Sequence, residues 1–201
     1  MHLVLGLGNP GRQYERTRHN AGFLVVDRLA ERNGFTCDKR QFNALVGKGR
    51  AGSADAVFAK PQAFMNRSGH PASSLRGYYK VAPVDVLVVH DEIDLPFGDV
   101  RVKVGGGHGG HNGLRDLVAQ FGASDFARVR FGIGRPPAGW DVSDYVLGRW
   151  TPTELVDLEE RVDHAAVVVE AVLTDGSRAA MNKYNVRRPG RGDAGDEPPT
   201  D

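Results

Sequence analysis

Short apolar segments alternate with stretches of helical periodicity along most of the chain, and together they predict an α/β fold. A buried strand is predicted over His2 to Leu7, followed by a helix with Asn20 as its N-cap and Gly34 as its end. The clearest strand runs from Asp85 to Asp91, because four consecutive apolar residues precede its polar end. Helices between strands favour a single domain with a twisted, mostly parallel (mixed) β-sheet flanked by helices.

Two later strands are predicted to carry basic side chains on one face. In Asp99 to Val104 the valines alternate with Arg101 and Lys103, and Phe126 to Ile133 alternates in the same way and carries Arg128 and Arg130. The remaining predicted elements are the strands Ala44 to Ala51 and Ala56 to Lys60, and the helices Ala72 to Tyr79, Leu114 to Gln120, Thr151 to Leu173 and Gly176 to Tyr184. One face of this part of the sheet is therefore expected to be positively charged.

Length and composition restrict the domain organisation. The chain has 201 residues, of which 40% are hydrophobic, enough for one well-filled core and too few for two full domains. We assign residues 1–186 to that single domain. From Arg187 to Asp201 the sequence has almost no apolar content, so this tail is expected to be disordered.

Charge and cysteine usage narrow the possible partners and compartment. The formal net charge of +1 does not by itself indicate a nucleic-acid partner, although basic clusters lie near the glycine-rich loops. The single cysteine, Cys37, cannot form an internal disulfide, and no cationic segment precedes the first apolar run, which is typical of a cytoplasmic protein. The sequence also lacks an apolar stretch of about 18 residues, so no membrane span is expected.

A glycine-rich loop follows the first predicted strand and has two interpretations. Gly6, Gly8 and Gly11 have the G-x-G-x-x-G spacing of dinucleotide-binding loops. Pro10 removes a backbone N–H donor, however, and helical periodicity begins only near Asn20, so the loop does not lead directly into a helix. A tight turn that serves a different kind of site is therefore favoured over a nucleotide cofactor.

The segment after this loop places Asn9 and His19 near the carboxyl end of a strand, where open α/β sheets bind ligands. A histidine oriented by a carboxylate is a general base, and Asp91 at the end of another strand is the simplest partner for His19. Because successive strand side chains point to opposite faces, His90 and Asp91 are not both expected to face His19. Taken alone, His19 could be an ordinary surface or helix-cap histidine, and Asp91 could be an ordinary strand-end carboxylate.

Three asparagines lie in or after tight loops, at Asn9, Asn66 and Asn112. Their amide groups donate hydrogen bonds without titrating, so they can hold a water molecule or stabilise the oxygen of a tetrahedral intermediate. Ordinary turn and helix-cap roles stay open for each of them. No serine or cysteine lies in a nucleophile-elbow context, and Ser68 has no preceding strand, so water is the expected nucleophile.

A metal site is a competing hypothesis for the histidines. The segment His108 to His111 and the acidic residues Asp91, Glu92 and Asp94 supply possible ligands. Glycines beside the histidines are expected to leave their imidazoles poorly oriented, and zinc sites on rigid elements commonly use other spacings. We therefore assign no metal and no cofactor.

Six motifs follow one another along the chain. They are Gly6 to Gly11 with Tyr14, Thr17 to Gly22, Lys60-Pro61, Phe64 to Gly69, His90 to Leu95 and Gly105 to Gly113. In type and order they resemble the bacterial peptidyl-tRNA hydrolase family, and the family's principal site positions are all matched. The resemblance covers about Leu3 to Asn182, and the tail after Arg187 is expected to lie outside it.

This resemblance implies a monomeric enzyme that needs no cofactor and hydrolyses the ester between a peptide and the 3′-terminal ribose of tRNA. It implies His19 as the catalytic base, Asp91 as its partner and Asn9 as a group that places water and substrate. The implied binding residues for the acceptor end and its terminal adenosine are Tyr14, Met65, Asn66, Asn112, His111, Lys103 and Arg130. Lys103 and Arg130 match basic positions associated with the tRNA 5′-phosphate.

Two loops are expected to act as mobile gates of the cleft, the glycine-rich run 105–110 and the loop 136–144. Two other function classes remain open at the level of sequence. One is an RNA-binding module without catalysis that uses the same basic faces. The other is a metal-dependent hydrolase.

Overall fold

The computed structural model describes residues 1–185, in which a seven-stranded sheet is covered by helices. The strands are β1 His2–Gly6, β2 Lys39–Gln41, β3 Ala44–Ala51, β4 Ala54–Pro61, β5 Val86–Glu92, β6 Val100–Val104 and β7 Ala127–Gly132. The α-helices are α1 Ala21–Asn33, α2 Gly69–Tyr79, α3 Asn112–Phe121, α4 Val142–Leu147, α5 Pro152–Asp175 and α6 Ser177–Tyr184, with 3-10 turns at Arg18–Asn20, Met65–Arg67 and Pro83–Asp85. The end of the assigned domain at 186 and the predicted tail lie outside the described residues.

The sheet is mixed, as expected, and its strand order is β2-β3-β4-β1-β5-β7-β6. The four central strands β4, β1, β5 and β7 run parallel, whereas β2, β3 and β6 pair antiparallel at the two edges. After β1 the chain moves toward one edge of the sheet, and it then crosses to β5 on the other side of β1. The crevice between the carboxyl ends of β1 and β5 is therefore the topological switch point where such sheets bind ligands.

Alternation along the strands divides the core into two layers. In β1, Val4 packs in the layer that contains α1 and α5, and Leu3 and Leu5 pack in the layer that contains α2 and α3. All three side chains are fully buried. A strand buried on both faces requires a continuous apolar run, which explains why β1 and β5 were recognisable in the sequence.

Two glycines, Gly6 at the end of β1 and Gly22 in α1, bring α1 into backbone contact with the sheet. A Cβ on Gly22 would lie 2.4 Å from both the Leu7 nitrogen and the Val89 oxygen, and a Cβ on Gly6 would lie 2.4 Å from the Gly22 oxygen. Only glycine allows this approach. Because α1 begins at Ala21 and not directly after Gly11, the glycine spacing serves packing and a turn, and the loop lacks the strand-to-helix geometry of a dinucleotide site.

Two elements differ from those predicted. β2 was missed because Lys39–Gln41 is short, polar and lies at the sheet edge, where burial imposes no apolar pattern. The expected loop 136–144 overlaps α4, which Asp141 caps by accepting hydrogen bonds from Ser143 N at 2.7 Å and Asp144 N at 3.3 Å. Within residues 1–185, no helix combines the length and apolar character needed to cross a bilayer.

Candidate active site

His19 and Asp91 form a buried pair at the switch point. His19 lies in the 3-10 turn that precedes α1, and Asp91 is the penultimate residue of β5. The Nδ1 atom of His19 is 2.9 Å from each carboxylate oxygen of Asp91, and the two residues are 8% and 3% exposed. The carboxylate accepts the Nδ1 proton, so Nε2 of His19 is the ring nitrogen left to take a proton.

The electrostatics of this pair keep Asp91 charged and His19 titratable. Burial alone would lower the pKa of His19, but the charge of Asp91 and its hydrogen bond outweigh burial and raise the pKa above the ordinary 6.5. Burial alone would raise the pKa of Asp91, whereas His19 and His111 together hold it far below its usual range. Asp91 is therefore a permanent acceptor for the imidazole.

His111 is a second histidine bound to the same carboxylate. It is the N-cap residue of α3, and its Nδ1 accepts hydrogen bonds from Gly113 N at 3.1 Å and Leu114 N at 3.3 Å. Since Nδ1 accepts, the ring proton is on Nε2, which donates to Asp91 Oδ1 at 3.0 Å. The expectation that flanking glycines leave this imidazole poorly oriented is wrong, because the start of α3 fixes the ring.

The position of the ring proton of His111 also affects whether this site could bind a metal. Ligand atoms of His19, Asp91 and His111 lie within 4.8 Å of one another, which is close enough to surround an ion. To coordinate a metal through Nε2, His111 would have to move its proton to Nδ1, where it would oppose two backbone N–H donors. His108 is not part of this group, and its Nδ1 accepts from Gly110 N at 3.1 Å. The two backbone hydrogen bonds to His111 Nδ1 therefore oppose coordination of a metal by this histidine, although two imidazoles and a carboxylate are otherwise suitable ligands.

His90 lies on the opposite face of β5, as strand alternation predicts. Its Nδ1 donates to the Asp91 carbonyl oxygen at 2.7 Å, and its ring centroid is 4.9 Å from that of His111. Burial lowers the pKa of His90 to about 3, so the ring is neutral at physiological pH. Among the described residues its Nε2 has no hydrogen-bond partner. Only Asp91 of the two neighbours faces His19.

Asn9 is fixed by backbone contacts on both sides. Its Oδ1 accepts from Met65 N at 2.7 Å, and its own N–H donates to Asn20 Oδ1 at 2.8 Å. Asn20 Nδ2 donates back to the Asn9 carbonyl at 3.0 Å, so Asn20 precedes α1 without giving it a side-chain cap. With its oxygen engaged, the amide of Asn9 has Nδ2 available to donate. Sequence reasoning missed this role of Asn20, because no local pattern connects positions 9 and 20.

A cleft of about 920 Å³ opens onto these residues. Tyr14, Met65, Asn66 and Asn112, the residues to which the family resemblance assigns substrate binding, are among those that line it. The amide oxygen of Asn112 accepts from Arg115 Nη1 at 3.1 Å, which leaves its NH₂ group as a donor. The other lining residues are His19, Asn9, Phe64, Arg67, Asp91, Glu92, Ile93, His108, Gly109, Gly110, His111, Asp141, Val142, Ser143, Val146 and Leu147.

The two predicted phosphate-binding residues lie outside the cleft, on neighbouring strands. Lys103 of β6 is exposed, and Arg130 of β7 donates through Nε to Glu92 Oε2 at 2.9 Å. Glu92 itself lines the cleft, so Arg130 adjoins its rim. Arg128, opposite Lys103 in the register, is buried and donates to the carbonyl oxygens of the glycine-rich run. Its role is structural.

Comparison with known proteins decides whether the chain is an enzyme or an RNA-binding module without catalysis. The family model for peptidyl-tRNA hydrolase matches residues 3–191. The chain belongs to the peptidyl-tRNA hydrolase family. It is an enzyme that hydrolyses peptidyl-tRNA, and an RNA-binding module without catalysis is excluded. The match extends into the tail, which corrects the expectation that the likeness ends before it.

Individual relatives agree with this assignment over nearly their whole length. Peptidyl-tRNA hydrolase of Syntrophotalea carbinolica is 47% identical over 187 residues, which are 93% of this chain and 98% of the relative. That of Mycobacterium bovis is 48% identical over 91% of this chain and 96% of the relative. A crystal structure of peptidyl-tRNA hydrolase from Acinetobacter baumannii has a TM-score of 0.86 and 40% identity, and covers 94% of this chain and 97% of that chain.

Proposed function

We propose that hydrolysis takes place in the cleft, with His19 as the general base. The observation that carries this proposal is the contact of His19 Nδ1 with both oxygens of Asp91, each at 2.9 Å. His19 Nε2 takes a proton from a water molecule, and the resulting hydroxide attacks the ester carbonyl. Asp91 stabilises the imidazolium that forms. The proton then passes to the ribose oxygen as the C–O bond of the ester breaks.

Amide donors stabilise the oxygen that becomes negative in this step. The hydrogen bond between Asn9 Oδ1 and Met65 N orients the Asn9 amide, so its Nδ2 can donate. Asn112 can also donate through its NH₂ group, because only its amide oxygen is bound by Arg115. Neutral donors of this kind stabilise an oxyanion without changing their own charge. Asn66 lines the same cleft and is assigned to binding the substrate.

The acceptor end of the tRNA enters the cleft, with its terminal adenosine near Tyr14 and Met65. Tyr14 packs edge-to-face with Phe64 at 6.3 Å between ring centroids, which gives an aromatic wall of the kind on which single-stranded bases stack. Lys103 and Arg130 bind the phosphates beyond the rim.

The enzyme is also proposed to be monomeric and cytoplasmic. Burial raises the pKa of the Cys37 thiol to about 11, so this side chain is not a candidate nucleophile.

The proposed base predicts a defined pH dependence. Only neutral His19 accepts a proton, so kcat/KM rises with pH through the pKa of His19 in the free enzyme. Because Asp91 raises that pKa, the midpoint of the rise lies above 6.5. Release of tRNA from N-blocked aminoacyl-tRNA, measured between about pH 5 and pH 9 with substrate well below KM, tests this. A midpoint at or below the ordinary histidine pKa contradicts the proposal. Loss of activity in EDTA would instead support a metal-dependent hydrolase.

Phosphate binding by Lys103 and Arg130 predicts a change in salt dependence. Lys103→Ala weakens tRNA binding and lowers the slope of log affinity against log salt by about 1. Arg130→Ala weakens binding further, because the freed carboxylate of Glu92 then repels phosphate. Lys39→Ala, at the opposite edge of the sheet, is the matched control and leaves the slope unchanged. Unchanged slopes in both test variants count against the assignment.

A further inference from the structure

Arg18, the residue before His19, makes an unusually complete set of buried contacts. Its Nε and Nη2 donate to the two carboxylate oxygens of Glu154 at 3.1 and 2.7 Å. Its Nη1 donates to the carbonyl oxygens of Tyr145 at 3.4 Å and Arg149 at 3.0 Å. The guanidinium also lies 4.4 Å from the ring centroid of Tyr145. One side chain thus joins the 3-10 turn of His19 to α4 and to the start of α5.

Backbone pairing strengthens the same connection. Arg18 N donates to Gly148 O at 3.1 Å, and Trp150 N donates to Arg16 O at 3.2 Å, which forms a short antiparallel bridge. The bridge holds the segment after α4 against the segment before His19. The guanidinium fills the space behind this bridge, with 7% of its side chain exposed. Movement of α4 therefore requires these contacts to change.

α4 is one wall of the cleft. Val142, Ser143, Val146 and Leu147 line it. Val142 and Leu147 are 47% and 38% exposed, so they offer apolar surface to a bound substrate. The distance between this wall and the catalytic pair decides which groups fit between them.

We propose that Arg18 is a positioning residue that sets the place of the α4 wall relative to His19. It touches neither substrate nor reacting atoms, and it acts through the two elements that it joins. The proposal rests on the proposed function, because it takes the cleft to be the substrate site. A bidentate guanidinium is required, since a lysine reaching Glu154 cannot also serve the Tyr145 and Arg149 carbonyls.

The test is Arg18→Lys, which keeps the charge and removes the bidentate geometry. We expect KM for N-blocked aminoacyl-tRNA to rise about tenfold, because loss of a charge-assisted hydrogen bond lowers the fraction of molecules in which α4 is placed to bind substrate. The pH midpoint of kcat stays at its wild-type value, because the contact between His19 and Asp91 is kept. Arg32→Lys is the matched control, since Arg32 joins α1 to α5 through Asp163 and Glu170 away from the cleft. It leaves KM unchanged.

Tryptophan fluorescence tests the placement of the α4 wall without any turnover of substrate. The two tryptophans flank α4, and Trp140 is 61% exposed whereas Trp150 is 4% exposed. In a Trp140→Phe background, acrylamide quenches Trp150 weakly in the wild type and more strongly with Arg18→Lys, and Arg32→Lys does not change the quenching. Because this measurement needs no turnover, it separates failure of the wall proposal from failure of His19 as the base.

If Arg18→Lys has the wild-type KM and acrylamide quenches its Trp150 as weakly as in the wild type, the proposal is wrong. If that variant does not fold, Glu154→Gln replaces it, since glutamine still caps α5 but loses the ion pair with Arg18. Glu154→Gln is then expected to raise KM and the quenching of Trp150 in the same direction. A folded Glu154→Gln enzyme with neither change likewise overturns the proposal.

Discussion

Replacing His19 with alanine is expected to lower kcat for peptidyl-tRNA hydrolysis by about 10²- to 10⁴-fold, the usual contribution of a positioned general base. Asn9 Nδ2 and the rest of the cleft remain in place, so substrate binding is largely kept and KM changes little. The measurement is single-turnover release of tRNA from N-blocked aminoacyl-tRNA under saturating enzyme, which separates chemistry from binding.

A matched variant shows whether a loss with His19→Ala is specific. His108→Ala removes another histidine that lines the cleft but makes no contact with Asp91, and it is expected to retain most of the wild-type kcat. If His19→Ala releases tRNA as fast as the wild type, a different group activates the water. The contact with Asp91 that raises the pKa of His19 would then stabilise the structure without a part in catalysis.

Replacing Asp91 with asparagine is expected to lower kcat by about 10²-fold or more and to move the pH profile to lower pH. The amide keeps the size of the side chain but removes the charge that raises the pKa of His19. Burial then dominates and lowers that pKa, so the rise in kcat occurs at lower pH. The amide also does not enforce the histidine tautomer with Nε2 free. A full pH profile of kcat for both enzymes measures both effects.

The direction of the pH shift is the sharper of the two readouts. General damage to the fold lowers kcat at every pH and leaves the midpoint in place, whereas loss of the Asp91 charge moves the midpoint. A midpoint that stays fixed or moves to higher pH contradicts the role of Asp91. Thermal unfolding of Asp91→Asn shows how much of the native structure is retained at the assay temperature.

The sequence predicted the parts of this fold that burial controls. β1 and β5 were predicted from their apolar runs, because both strands are buried on both faces of the sheet. The proximity of His19 and Asp91 was also predictable, since both follow or end buried strands that are adjacent and parallel. Strand alternation correctly separated Asp91 from His90.

The rest of the site depends on contacts between distant segments. His111 reaches Asp91 because the start of α3 holds its ring, and the glycines around it gave no sign of that order. Arg18 is one of several basic residues near the first loop, and nothing in the sequence shows that it alone is buried, 6% exposed, and bound to Glu154. Such roles are set by tertiary packing, so a single sequence carries no periodic signal for them.

The two histidines that share Asp91 also bear on which bond in the substrate is broken. When both imidazoles are neutral, the cluster of His19, Asp91 and His111 carries one negative charge in a buried setting. A phosphodiester brings a negative charge of its own, whereas the ester between peptide and ribose is neutral. If His19 is the base, as we propose, repulsion at short range in a region of low dielectric constant is expected to keep the RNA backbone away from it. We therefore expect the same charge that orients His19 to favour cleavage of the neutral ester over the phosphodiester.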